Sequence, residues 1–183
     1  LVSSVGFIVG LILVLAGSYF TVLRYMGDVT YVKALQASDN NVAADLSVRA
    51  INWNGRDARY YVTLSQTSLK LLAEELGKKA APADNQRATR IQNYVASSIN
   101  FAKRATEIAP QESTNWFNLG VVYQNLIVIF PDSDKLAEEA FLKAAEVRPG
   151  DPAVAHRIGT MYLQKSELLR QAAQSGQNVK ELS

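Results

Sequence analysis

Asn115-Trp116-Phe117-Asn118-Leu119-Gly120-Val121-Val122-Tyr123, then Ala137-Glu138-Glu139-Ala140-Phe141-Leu142-Lys143-Ala144, closed by Pro149-Gly150, is the stretch that decides how this chain folds. Trp116, Leu119, Gly120 and Tyr123 recur at three- and four-residue spacing and so share one face of a helix. Ala137, Phe141 and Ala144 do the same on a second helix. Gly120 and the alanines let the two helices approach closely, and Trp116, Tyr123 and Phe141 fill the space between them. Pro149 cannot continue the helix and forces a turn.

The pattern recurs along the chain. Ile158, Gly159 and Tyr162 repeat Leu119, Gly120 and Tyr123 at a shift of 39 residues, with Ala155 in place of the tryptophan. Ala105 and Pro110 stand 39 residues before Ala144 and Pro149. Leu64-Ser65, preceded by Tyr60-Tyr61, lies 55 residues before Leu119-Gly120, and Ala43 and Ala50 keep the seven-residue spacing of Ala137 and Ala144. A motif repeating at this scale marks a stack of helix pairs. It resembles the tetratricopeptide repeat, with its W-xx-LG-xx-Y helix, A-xxx-F-xx-A helix and closing proline. The family unit is about 34 residues, so two units here are stretched, by about 5 and about 21 residues. The larger excess falls at Leu72 to Arg90 and suggests elongated helices joined by Ala80-Ala81-Pro82-Ala83; the smaller falls at Ile127 to Leu136. The resemblance covers roughly 29–170 and is sharpest over 113–165.

Breaks at Ser38-Asp39-Asn40-Asn41, Asn52-Trp53-Asn54-Gly55, Gly77 to Asp84, Pro110, Pro131-Asp132 and Pro149-Gly150 divide the chain into helices, and no stretch alternates as a strand would. The expected fold is all-α: a hydrophobic, transmembrane-type N-terminal helix, then antiparallel helix pairs in a short tetratricopeptide-like superhelix. The expected divisions are a hydrophobic segment over 1–24, a repeat module of three to four units over 25–174, and a tail over 175–183.

Residues 1–23 contain no Asp, Glu, Lys, Arg or His. As a helix they would extend about 34 Å, enough to cross a hydrocarbon core of about 30 Å. Phe7 to Leu15 is apolar on every side. Neither a basic leading region nor a small-residue cleavage site marks it as a signal peptide. Tyr19, Phe20 and Tyr25 gather with Arg24 as an interfacial belt. Gly6 and Gly10 form a GxxxG pair which, with Ser3 and Gly17, offers a face where another helix could pack. Because residue 1 is Leu, the chain is expected to be a processed product or part of something longer.

The order of these parts supports a second resemblance. A hydrophobic helix, a short repeat, Arg59-Tyr60-Tyr61-Val62-Thr63-Leu64-Ser65-Gln66, and a stretched repeat with Asn115-Trp116-Phe117-Asn118-Leu119-Gly120 together look like the C-terminal end of bacterial O-antigen ligase/polymerase-like membrane proteins. That resemblance implies that Leu1 to Leu23 is the last of several spans and that glycosyl-transfer residues lie outside this chain. A membrane or cell-surface location in a bacterial-type envelope would follow.

Catalytic chemistry finds little material. There is no cysteine and only one histidine, His156, which removes Ser-His-Asp triads, thiolate sites and His-rich zinc sites. No metal, cofactor or catalytic set is expected. Glu74-Glu75 and Glu138-Glu139 read as solvated helix faces. The 19 basic and 17 acidic residues leave a net charge of +2 with no basic run, against a nucleic-acid partner. The tetratricopeptide resemblance implies binding along the concave surface formed by the first helix of each pair. There Arg59, Gln66 and Lys70, then Phe117, Val121, Gln124 and Asn125, then His156 and Gln164 could clasp an extended peptide's backbone and acidic groups. Trp53 is expected to pack beneath the next helix pair. The expected function is a membrane-anchored scaffold for protein partners or copies of itself, with lipid or neighbouring hydrophobic helices around 1–23 and the chain part of a homo-oligomer or larger assembly. The alternative is a pilus-like filament subunit whose hydrophobic helix is buried between copies.

Overall fold

The computed structural model describes residues 2–79, 84–130 and 132–174, with the side chains of 2–5, 172 and 173 outside that description. Among the described residues there are seven helices and no strand: α1 Val2–Gln36, α2 Asn40–Trp53, α3 Ala58–Gly77, α4 Arg87–Ile108, α5 Ser113–Asn125, α6 Ser133–Val147 and α7 Pro152–Gln174. They pack as consecutive pairs, α1 with α2, α3 with α4 and α5 with α6, and α7 leans on α6. Neighbouring pairs join through α2–α3 and α4–α5, and α3 also touches α5. The tail over 175–183, the Ala80–Ala83 linker and Pro131 lie outside the described residues.

Each break has a local cause. The Asp39 carboxylate accepts hydrogen bonds from the backbone N–H groups of Asn41 and Val42, at 2.7 and 3.1 Å, and so caps α2. Asp57 caps α3 through Arg59 N at 3.0 Å. Gly150 takes a positive φ of 82° after α6, and Pro152 opens α7 with the φ a first helical position needs. Asn115 donates its side-chain amide to the carbonyls of Ala105 and Ala109, satisfying the end of α4 from the start of α5. The stretched units appear as long helices in α3 and α4, 20 and 22 residues, and as a turn over 126–130 between α5 and α6.

The main core lies where α5 crosses α6. A Cβ at Gly120 would stand 2.5 Å from Phe141 Cδ1, so the ring occupies the space a side chain would need. Leu119, Val122, Tyr123, Leu126, Ala137, Phe141 and Ala144 are all buried there, joined by Leu72, Ile99 and Ala102 from the preceding pair. The earlier crossings use serine where this one uses glycine. Ser47, Ser65 and Ser68 are buried, each hydroxyl donating to a carbonyl three or four residues back, so a small polar group sits between helices without an unmet hydrogen bond.

Several expectations are corrected. Gly159 and Tyr162 do not lie in a core: nothing stands within 4 Å of a Cβ at Gly159, and Tyr162 is 46% exposed. No helix equivalent to α6 covers them among the described residues. Ile158 still packs against the core, and Pro149 is exposed in its turn, acting as a terminator rather than as packing. Trp116 is half-buried at the rim, its indole N–H donating to Pro110 O at 2.8 Å. Trp53 does not pack beneath the next pair; it is 41% exposed at the end of α2.

Glu75 departs furthest from its reading as a solvated carboxylate. It is 2% exposed, and Arg90 reaches one carboxylate oxygen through Nε at 3.0 Å and Nη2 at 2.5 Å. Lys78 reaches the other at 2.8 Å. Arg90 also pairs with Asp84, and Arg87 donates to the carbonyls of Glu75, Leu76 and Lys78 at the end of α3. The Arg90 and Lys78 hydrogen bonds hold the Glu75 carboxyl below its ordinary value of 4.5. A carboxyl lowered on folding adds stability above its unfolded value and loses it as pH falls through the folded one. The thermal midpoint is therefore expected to fall as pH drops below about 4.5, with Glu75→Gln flattening that slope. Equal slopes for both proteins in a pH series of melting curves would refute the latch.

Candidate functional site

The first helices of successive pairs, α1, α3, α5 and α7, line one side of the stack, and the side chains on that side are partly committed to one another. Gln66 on α3 donates to Asn118 Oδ1 on α5 at 2.9 Å, and Asn118 donates in turn to Ser65 Oγ at 2.9 Å. Gln124 on α5 donates to Gln164 Oε1 on α7 at 3.3 Å. Gln124 is only 5% exposed and its own carbonyl oxygen has no partner, so it belongs to the floor of this surface rather than to its reach. Asn125 folds its amide back to Val121 O at 2.8 Å. Phe117 and Val121 are half-buried, with the Phe117 ring 5.5 Å from Phe141. Gln66, Lys70, Asn125, His156 and Gln164 remain exposed along this side.

Arg59 is placed elsewhere, at the joint between α1 and α3. Its guanidinium pairs with Asp57 at 2.6 Å and with Asp28 of α1 at 2.8 Å. The Tyr60 hydroxyl donates to the same Asp28 at 3.0 Å, and the Tyr60 ring is fully buried with its centroid 5.0 Å from that of Tyr31. Arg59 also lies over the Tyr31 ring at 5.6 Å. Burial and the hydrogen bond to an anionic Asp28 push the Tyr60 hydroxyl well above its ordinary value. Burial opposes ionisation of Asp57, but the Arg59 hydrogen bonds and the charges of Arg59 and Arg24 outweigh it and hold that carboxyl low.

The glycine of α1 that packs is Gly27. A Cβ there would lie 3.0 Å from Tyr60 Oη and 3.2 Å from Asn54 Cβ. Gly6, Gly10 and Gly17 have nothing within 4 Å, and Ser3 lies in α1 with its side chain outside the description. Helix α1 is long and apolar enough to cross a membrane by length and composition, with a mean hydropathy of 2.2 over its most apolar 18 residues. None of that apolar stretch is buried against the rest of the chain. It runs unbroken through Arg24 into the segment that pairs with α2.

Where α1 meets the module, a cleft of about 770 Å³ opens between Phe20 and Arg24 of α1, the α2–α3 turn at Arg56 and Asp57, and the start of α5 at Glu112 and Thr114. Sequence reasoning found neither the joint nor the cleft. The one available signal was Gly27 next to Asp28, directly after the apolar run.

Among solved structures, the chain is similar to the Arabidopsis OM64 TPR domain, with a TM-score of 0.50 and 18% identity over 78% of this chain and 93% of that one. This likeness gives the fold: a tetratricopeptide-like stack of helix pairs. No known protein family matches the sequence. No curated protein matches it either.

Proposed function

We propose that the chain is a membrane-anchored scaffold: α1 crosses the bilayer and the repeat module holds protein partners on its concave side. The observation that carries this reading is the continuity of α1. One helix presents an uncovered apolar length of membrane dimension and then becomes the first helix of the stack, clasped to α3 by Asp28, Arg59 and Tyr60. So large an exposed apolar surface needs lipid or protein around it, and an interfacial belt of Tyr19, Phe20 and Tyr25 beside Arg24 suits lipid. The repeat fold supports a binding rather than a catalytic role. Exposed Lys70 and the amides of Gln66, Asn125 and Gln164 suit an extended acidic peptide, whose backbone the amides would meet.

The resemblance to O-antigen ligase/polymerase-like proteins supports placing this unit as the tail of a glycan-assembly membrane protein in a bacterial-type envelope. Reconstituted into liposomes, the chain is expected to float with lipid after an alkaline wash and to retain acidic peptides that a Lys70→Glu variant releases. Regular filaments that persist without detergent would overturn the anchor, and peptide retention unchanged by Lys70→Glu would overturn the groove.

A further inference from the structure

The cleft under the module holds charges that its own residues do not match up. Arg59 is taken up by Asp57 and Asp28. Arg24 and Arg56 are exposed and make no ion pair or side-chain hydrogen bond among the described residues, and the exposed Glu112 carboxylate likewise has none. Two cations and one anion therefore line a cleft of about 770 Å³ without partners, within the roughly 300–1,000 Å³ typical of small-molecule sites.

The position of the cleft narrows what could enter. Arg24 is the first charged residue after the apolar run, and Phe20 lies one turn back towards it. Gly27, where the module begins to pack, is only about 4.5 Å further along the axis at about 1.5 Å per residue. If α1 spans a bilayer, no spacer separates the module from the surface, and the cleft opens at headgroup depth.

Charge counting then selects the headgroup. The unpaired charges lining the cleft are the guanidinium groups of Arg24 and Arg56 and the carboxylate of Glu112, so an occupant needs an anionic group for the arginines and a cationic one for the glutamate. A zwitterion carries both. We propose that this cleft seats the head of a phospholipid bearing a phosphate and a primary ammonium, an ethanolamine-type headgroup. Its phosphate lies between Arg24 and Arg56, its ammonium on Glu112, and its acyl chains pass Phe20 along α1. The arginine forks suit phosphate oxygens, and a primary ammonium donates hydrogen bonds to a carboxylate where a quaternary one cannot. The proposal rests on the membrane-anchored reading.

The full chain, reconstituted into nanodiscs of mixed ethanolamine, glycerol and choline phospholipids, would be extracted gently and its retained lipids weighed by native mass spectrometry. Ethanolamine lipid is expected to be retained over both others. Arg24→Gln with Arg56→Ala should reduce retention roughly tenfold, the loss of charge-assisted hydrogen bonds. Glu112→Gln should keep lipid bound but erase the preference for ethanolamine over choline. Because these side chains make no ion pair or side-chain hydrogen bond among the described residues, melting curves should change little, and Arg56→Lys should recover part of the retention. Retention indifferent to the variants, or a preference for the anionic glycerol lipid, would overturn the site while leaving the anchor standing. A chain that fails to float with liposomes would overturn both.

Discussion

Replacing Phe141 by alanine is expected to lower the free energy of unfolding by about 4 kcal/mol and the thermal midpoint by roughly 10 °C. The ring is fully buried between α5 and α6, and Gly120 has no side chain with which to fill the space it would leave. Two helices that meet this closely do not collapse readily around a void, so the cavity term adds to the lost transfer energy. The converse change tests the same contact. Gly120→Val puts methyl groups where the ring stands and should cost about 1–3 kcal/mol. Gly159 occupies the same repeat register, yet a Cβ there meets nothing. Gly159→Ala should therefore be neutral or raise stability by up to about 1 kcal/mol through helix propensity. Melting of the three variants by far-ultraviolet circular dichroism separates the cases. If Gly120→Val and Gly159→Ala behaved alike, register would be the determinant and the packing account would fail.

That contrast marks how far the sequence could be read. Helix breaks were legible because their residues act locally: Asp39 caps and Gly150 supplies a positive φ, whatever the surroundings. The α5–α6 crossing was legible because glycine, alanine and phenylalanine at fixed spacing leave few other ways to pack. The register itself misled at Gly159 and Tyr162, since a repeat motif reports where a partner helix would sit and not whether one covers it. Composition also changes at Arg24 from lipid-like to water-like while the backbone continues as one helix, since no proline or cap interrupts Met26-Gly27-Asp28. Of the residues read as a groove, Gln66, Lys70, Asn125, His156 and Gln164 are exposed on the first-helix side. Gln66 pairs with Asn118, Gln124 with Gln164 and Arg59 with Asp28, pairings between distant segments that spacing along one helix does not encode. Glu75 was hidden for the same reason: its partner Arg90 lies on the next helix, across a linker.

Tyr60→Ala should remove about 4 kcal/mol of stability and, with it, the fixed angle between α1 and the module. The side chain is fully buried against Gly27 and Tyr31, and its hydroxyl meets Asp28. Truncation opens a cavity where α1 is tied to α3, and leaves Asp28 with Arg59 alone. Tyr60→Phe keeps the ring and loses only the hydroxyl bond, so it should cost about 1 kcal/mol. The two variants differ in a property that stability alone does not report. The core around Phe141 does not include Tyr60, so α5 and α6 should stay paired in both while the joint loosens only in Tyr60→Ala. Spin labels at exposed Tyr25 on α1 and Gln111 in the α4–α5 turn would read that angle as a distance distribution. It should broaden in Tyr60→Ala and stay narrow in Tyr60→Phe and in the unaltered chain. A narrow distribution in Tyr60→Ala despite a lowered melting point would mean that α2 alone sets the angle, and Tyr60 would then be core filling rather than the clasp that fixes α1 to the module.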